Sequence, residues 1–403
     1  MSTVEVAPGA VPAQPPQAGS PLLGVYRQPA PVFVEGRGSR VYDAEGQAYL
    51  DFISGIGVNA FGYGDPGVAG AIRSALETGL IHLSNLYRTA PAERLAGELT
   101  RLSFADRVFF CNSGGEATEA AFKFARRKAR ESGDDGKIEF VALHGSFHGR
   151  LFGSLAATDR PAYREPFEPL LPGVRFIPVG DVDAAAAAIS RERTAGIIVE
   201  PVQGEGGVRP IPAEFLAALR TLADEADAVL IFDEVQCGLG RTGYLFAYEA
   251  TGVVPDILTL AKPLAGGLPM GAVLMTEAVA SAMRPGDHGT TFGGGPLVSA
   301  VALEVVRRVS APEFLAKVRR KGEIVSRTLR SLVDRGVAVE ARGRGLMWGL
   351  ELAEPAAPFV ARAFEAGLLL GTAGERVIRL LPPLTIEDAE LNAGLGILEE
   401  VLA

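Results

Sequence analysis

The chain has 403 residues, of which 48% are hydrophobic and 22% charged, enough apolar material for a large core divided into two unequal lobes. Its net charge of −9 argues against nucleic acid or an anionic membrane as partner, while small anionic substrates stay open because they answer to local arginines. No apolar run reaches bilayer-spanning length, so no membrane span is expected.

Residues 1–20 are rich in Pro, Ala and Gln and lack both a basic start and a continuous apolar segment. They read as a disordered tail rather than a secretory signal or mitochondrial presequence. Cys111 and Cys237 each close an apolar run and read as free thiols in a reducing compartment, so a soluble, cytoplasmic protein is expected. From Pro31 to Asp51 the pattern alternates and turns at Glu-Gly, which predicts a small antiparallel meander.

Seven short apolar runs follow: Arg107–Asn112, Glu139–Gly145, Val174–Gly180, Thr194–Pro201, Ala228–Val235, Ile257–Lys262 and Gly271–Glu277. Most are apolar throughout and alternate with helical patterns, as strands covered by helices on both faces do, so an α/β core with a mostly parallel sheet is expected. A helix from about Ser299, a helical stretch around Glu313–Asp334 and renewed strand character over Val337–Leu352 complete a smaller α+β lobe built from both chain ends. The expected division is a tail at 1–20, the first part of the small domain at 21–70, a large domain at 71–300 and the remainder of the small domain at 301–403.

Chemistry gathers where the runs end. Ile-Leu-Thr-Leu-Ala-Lys262 delivers a lone amine into turn residues, and an amine desolvated at such a place is able to attack carbonyls near neutral pH. Ala-Val-Leu-Ile-Phe-Asp233 delivers a carboxylate, followed by Val235 and the carboxamide of Gln236. Arg-Val-Phe-Phe-Cys-Asn112 breaks into Ser113-Gly114-Gly115 at the start of an alanine-rich helix running to about Arg130, where free backbone N–H groups and the positive helix end suit a phosphate. An imine-forming lysine, an acid for a pyridine nitrogen and a phosphate cradle are together what pyridoxal phosphate requires.

Other motifs carry less. Gly238-Leu-Gly240-Arg-Thr-Gly243 has the dinucleotide-binding spacing, but no helical pattern opens at it and the next run ends in Lys262 rather than an acid. Gly343-Arg-Gly345 reads as a turn between strands. His82, His144, His148, His288 and the two cysteines form no zinc-type spacing, so no metal site is expected.

Several longer stretches extend the pattern: Tyr49–Asn59, Ser84-Asn85-Leu86-Tyr87, Phe147-His148-Gly149-Arg150, Tyr163–Phe167, Glu200-Pro-Val-Gln-Gly-Glu205 and Thr290-Thr291-Phe292-Gly293-Gly294. From about Pro21 to the C-terminus the chain resembles the class III pyridoxal-phosphate-dependent aminotransferases, closest within them to the members acting on N-acetylornithine. The resemblance implies the aspartate-aminotransferase-like fold, with Lys262 as the imine lysine and proton shuttle and Asp233 as partner of the pyridine nitrogen. It further implies that Gln236 bonds the ring hydroxyl, that Phe147 and Val235 flank the ring, and that Ser113, Gly114 and Gly115 cradle the phosphate. Thr291 matches a threonine that reaches the phosphate of a second subunit, which implies a homodimer with shared sites.

By the same resemblance Arg379 holds the α-carboxylate of glutamate or 2-oxoglutarate, Arg150 a second carboxylate, and Glu205 neutralises Arg379 when a terminal amine reacts. The implied reaction transfers the terminal amine of N-acetylornithine to 2-oxoglutarate, in arginine biosynthesis. Ornithine, 4-aminobutyrate, succinyl-diaminopimelate and a lysine-pathway amine are the alternative donors, and an amino-shifting mutase is the alternative class. Two departures stand out: Gly295 occupies a position where relatives have asparagine, and Leu151 one where threonine is frequent, giving Arg150 a more apolar neighbour.

Overall fold

The computed structural model describes residues 21–26 and 28–403; the tail expected over 1–20 lies outside them. All seven apolar runs form strands of one sheet: β1 (Arg107–Cys111), β2 (Glu139–Leu143), β3 (Val174–Ile177), β4 (Thr194–Val199), β5 (Val229–Asp233), β6 (Ile257–Leu260) and β7 (Gly271–Met275). Their spatial order is β1-β7-β6-β5-β4-β2-β3. Neighbours pair in parallel except at β7, which runs antiparallel to both β6 and β1. Two reversals restore direction, so β1, β2, β5 and β6 all end on the same edge of the sheet, where an open α/β fold gathers its chemistry.

The helix Gly114–Glu131 is fixed to the sheet by small residues. Ala117, Ala120, Ala121 and Ala125 are all fully buried and pack with Phe140, Ile198, Ile231 and Val273 from four strands. A face of alanines brings the helix axis close to the sheet, and the buried phenylalanines fill what remains. Phe215, Leu219 and Ala223 of the helix Ala213–Ala226 are likewise inaccessible. Strands with helical cover on both sides need no alternation, which is why the runs are apolar end to end.

The chain separates into two compact units. One consists of 66–204 and 210–317 and contains the seven-stranded sheet. The other joins the described residues up to 65, the five residues Glu205–Arg209 and the stretch from Val318 to Ala403. In this second unit Phe33–Arg37, Arg40–Asp43 and Ala48–Asp51 form the antiparallel meander, extended in parallel by Leu368–Leu369. A second sheet pairs Glu340–Arg344, Met347–Glu351, Val377–Leu380 and Gly371–Thr372, all antiparallel. Gly343 lies within the first of these strands, and Gly345, at φ 57°, makes the turn to the second. Among the described residues no helix is long and apolar enough to cross a membrane, and no cluster of His, Cys, Asp or Glu suits a metal ion.

Candidate active site

Asp233 is the last residue of β5, and its side chain is 5% exposed. A buried carboxylate needs donors. Oδ1 accepts from the Val235 backbone N–H at 3.1 Å and from the Thr259 hydroxyl at 3.2 Å, and Oδ2 sits 2.7 Å from Nδ1 of His148. Since a carboxylate only accepts, the imidazole donates from Nδ1. The other ring nitrogen, Nε2, is buried without a hydrogen-bond partner among the described residues. Parallel register places Thr259 of β6 directly opposite Asp233, so the strand pairing itself supplies that donor.

On the same strand β6 stops at Leu260, two residues before the lysine that sequence reading put at its end. Ala261 is outside helical and strand geometry, and Lys262 has φ 31°, followed by Pro263 in a short 3₁₀ turn. Positive φ in a residue with a side chain costs on the order of 1–3 kcal/mol and persists only where the surroundings impose it. Here the strain projects a half-buried amine one turn beyond the strand that carries Thr259.

Ser113 caps the helix Gly114–Glu131, its hydroxyl accepting from Glu116 N at 3.2 Å. Gly114 has no room for a side chain, because a Cβ there would come within 2.8 Å of Val235 Cγ1. The turn after β1 and the turn after β5 are thus in van der Waals contact through a missing methyl. A Cβ on Gly149 would similarly approach the Cα of Gly115, and one on Gly204 would run into the Gln236 carboxamide. Gly114 and Gly149 therefore let the Ser113–Gly115 turn, the Phe147–Arg150 loop and the Asp233–Gln236 turn close on one another, and Gly204 lets the segment after β4 close on Gln236.

Glu200, just beyond β4, ties the Phe147–Arg150 loop to the segment that carries Gly204. Oε2 accepts from the Phe147 backbone N–H at 3.0 Å and Oε1 from Gly204 N at 3.1 Å. Burial pushes its carboxyl up to about 7, opposed by His148 and reinforced by Asp233. An unfolded glutamate titrates near 4.3, so the native state prefers the proton. The stability Glu200 contributes is therefore complete below that value and is lost as pH rises through about 7. In Glu200→Gln the slope of unfolding free energy against pH over this interval is expected to flatten relative to the native protein. Parallel slopes in urea titrations would contradict the assignment. Glu234, pushed up to about 8 by its own burial while accepting from Ala247 and Tyr248 N–H, titrates in both proteins and cancels in the difference.

Thr290 and Thr291 lie on an exposed loop with Phe292. Asn112, immediately before the phosphate-type turn, donates to the Thr290 hydroxyl at 3.0 Å and to Glu116 at 2.9 Å, and Asn85 donates to the Thr290 carbonyl at 2.7 Å. Phe147 is half-buried and Arg150 exposed. In the second unit Arg379 lies on the strand Val377–Leu380, its side chain 4% exposed, and bonds Glu205 at 2.5 Å. The backbone around Glu205 is held there as well: Arg342 donates to the Gly207 carbonyl at 2.7 Å and pairs with Glu340 and Glu351.

The sequence alone assigns no role to His148, Thr259 or Glu200, although all three stand inside stretches that also carry candidate site residues. Gly238–Gly243 forms turns, with Leu239, Gly240 and Gly243 at positive φ, and no helix opens at it. The residues present fit pyridoxal phosphate: a capped helix start with a side-chain-free turn, a buried carboxylate already supplied with donors, and an amine held in a strained backbone.

Residues 25–402 match the family model described as aminotransferase class-III. The protein named acetylornithine aminotransferase, mitochondrial, of Alnus glutinosa is 50% identical, covering 96% of this chain and 86% of its own. The acetylornithine aminotransferase of Methanocaldococcus jannaschii is 47% identical over 94% of this chain and 95% of its own. Among solved structures, the N-acetylornithine aminotransferase of Stenotrophomonas maltophilia superposes with a TM-score of 0.81 at 37% identity, covering 92% of this chain and 95% of that one. The ornithine aminotransferase of Toxoplasma gondii reaches 0.90 at 31% identity, covering 94% and 92%. An amine transaminase from an uncultivated Pseudomonas species, solved with pyridoxal phosphate bound, gives 0.87 at 29% identity, covering 96% and 97%. With the lysine, the acid and the glycine turn in these places, and likeness along almost its whole length, the chain belongs to the class III aminotransferases, enzymes that use pyridoxal phosphate to pass an amino group from a donor to a keto acid.

Proposed function

We propose that the enzyme moves the terminal amine of N-acetylornithine to 2-oxoglutarate, giving N-acetylglutamate 5-semialdehyde and glutamate, a step of arginine biosynthesis. The observation that carries the reading is the Arg379–Glu205 pair. A guanidinium 4% exposed must keep an anionic partner, and Glu205, at 27% exposure, is the more accessible of the two. An α-amino acid brings its own carboxylate to Arg379 and releases Glu205. A terminal amine brings none, and Glu205 then stays in place. Such an exchange suits an enzyme whose two substrates present different ends.

When bound, pyridoxal phosphate supplies an electrophilic carbon and an electron sink for the substrate. The side chains do the rest in this reading. Ser113 Oγ and the N–H groups of Gly114 and Gly115 hold the phosphate, Phe147 and Val235 flank the ring, and Gln236 bonds its hydroxyl. Asp233, oriented by His148 and Thr259, keeps a proton on the pyridine nitrogen. The Lys262 amine would take the proton from the substrate carbon that carries nitrogen and hold it for the return transfer.

The sheet-bearing unit of 66–204 and 210–317, near the 71–300 expected from sequence, would then be the cofactor-binding domain and the other unit the smaller one. We extend the proposal to a homodimer in the cytoplasm. Support for the dimer comes from Thr291 and Phe292, the latter 65% exposed, on a loop anchored from Asn112. Support for a reducing compartment comes from Cys111 and Cys237, both buried and free, with burial pushing the Cys111 thiol up to about 12. Leu151, 46% exposed, gives Arg150 a more apolar neighbour, and it supports a second reading in which another terminal amine, ornithine or 4-aminobutyrate, is the donor.

The deciding experiment is a single-turnover absorbance trace with each amine and no keto acid. N-acetylornithine should bleach the cofactor band fastest, and a faster trace with another amine would replace the proposed donor. Arg379→Ala should slow the glutamate half-reaction by about 10²-fold or more, as befits loss of a bidentate carboxylate contact, and the N-acetylornithine half-reaction much less. Equal losses in both would remove the exchange argument.

A further inference from the structure

We infer that Tyr163 is a positioning residue that sets the affinity for dicarboxylate acceptors by holding the Arg150 guanidinium flat against its ring. The inference rests on the reading of Arg150 as a carboxylate ligand. The Arg150 Cζ lies 3.5 Å from the centroid of the Tyr163 ring and 5.8 Å from that of Phe147. Among the described residues these two ring faces are its charge-bearing contacts, with no carboxylate or carbonyl engaged.

The geometry separates two functions of one side chain. A guanidinium carries all five N–H donors in its plane and none on its faces. Stacking on an aromatic ring therefore uses the face and leaves the in-plane fork open for a carboxylate, whereas a salt bridge would consume the fork. Arg150 is exposed, and an exposed arginine without such a support would sample many rotamers that a bound carboxylate must freeze out. Tyr163, half-buried in the short helix Pro161–Arg164, gives it one resting place. Phe147 is in turn fixed through its backbone by Glu200, so both rings near the guanidinium stand on anchored backbone. The sequence separation of thirteen residues hides the pair from any local pattern.

The test compares Tyr163→Leu, Tyr163→Phe, Arg150→Gln and the Tyr163→Leu, Arg150→Gln double variant, each as holoenzyme, with KM for 2-oxoglutarate and kcat measured at saturating donor. Tyr163→Leu should raise that KM about fivefold with kcat held within about twofold, the size expected for losing one partly exposed cation–π contact. Tyr163→Phe, which keeps the ring face, should retain the native KM. In the Arg150→Gln background Tyr163→Leu should add nothing. If Tyr163→Leu leaves KM unchanged while Arg150→Gln raises it, the inference about Tyr163 is wrong and the reading of Arg150 stands. If Arg150→Gln itself leaves KM unchanged, the reading of Arg150 fails and the inference goes with it. A loss of kcat of equal size in both backgrounds would make Tyr163 a structural residue only.

Discussion

Replacing Lys262 with alanine is expected to abolish covalent retention of the cofactor and to lower turnover by about 10⁴-fold or more, since nucleophile and proton shuttle vanish together. Borohydride treatment followed by mass analysis should find cofactor fixed to the native chain and none on the variant. Folding should survive. Lys262 sits at φ 31°, in a short turn between β6 and Pro263, and alanine carries the same Cβ into that conformation. Lys262→Gly sharpens the point. Glycine adopts positive φ without steric cost, so it should be at least as stable as the alanine variant and equally inactive. Turnover retained in either variant would remove Lys262 from the chemistry. A stable, inactive glycine variant would show strain kept for function rather than for the fold.

Which parts of this arrangement are visible in the sequence follows from the range of the forces involved. The seven strands are legible because a strand buried on both faces must be apolar throughout, and nothing else in a chain this size produces seven such runs between helical patterns. Their ends are not legible. The runs extend past the ladders to Asn112, Val235 and Lys262, and hydrophobicity has no means of marking where hydrogen bonding to the neighbour stops. The direction of β7 is equally hidden, since an apolar strand reads the same whether its neighbours run with it or against it.

The site divides in the same way. Lys262, Asp233 and the Ser113–Gly115 turn each announce themselves by breaking an apolar run with the right functional group. The groups that orient them do not. His148 reaches Asp233 across 85 residues, Thr259 across 26, and Glu200 reaches Phe147 across 53, distances set by strand order and not by any local pattern. Glu205–Arg209 is a further case: five residues, between segments that belong to the sheet-bearing unit, fold with the chain ends because Arg342 grips the Gly207 carbonyl and Gly349 leaves no space for a side chain against Val208.

Asp233→Asn is expected to slow the single-turnover reaction with donor amine by about 10³-fold, in line with losing one preorganised charge in a water-poor site. The cofactor should still load. The reason for choosing asparagine lies in the carboxylate's three partners. Its carbonyl oxygen keeps the Val235 N–H and the Thr259 hydroxyl, and its amide can donate to Nδ1 once His148 shifts its proton to Nε2, so each hydrogen bond has a replacement. What asparagine lacks is the negative charge that would hold a proton on the pyridine nitrogen. Asp233→Ala removes the charge and the scaffold together, leaving the Val235 N–H and the imidazole without their acceptor in a buried place, at about 1–3 kcal/mol for each orphaned group. The two variants should therefore share the loss of rate and differ in stability, with alanine the lower in melting temperature. A native single-turnover rate in Asp233→Asn would show that shape and hydrogen bonding suffice, and the charge would have to be sought elsewhere. If alanine were slow and asparagine fast, Asp233 would be a brace for the Phe147–His148 loop and nothing more.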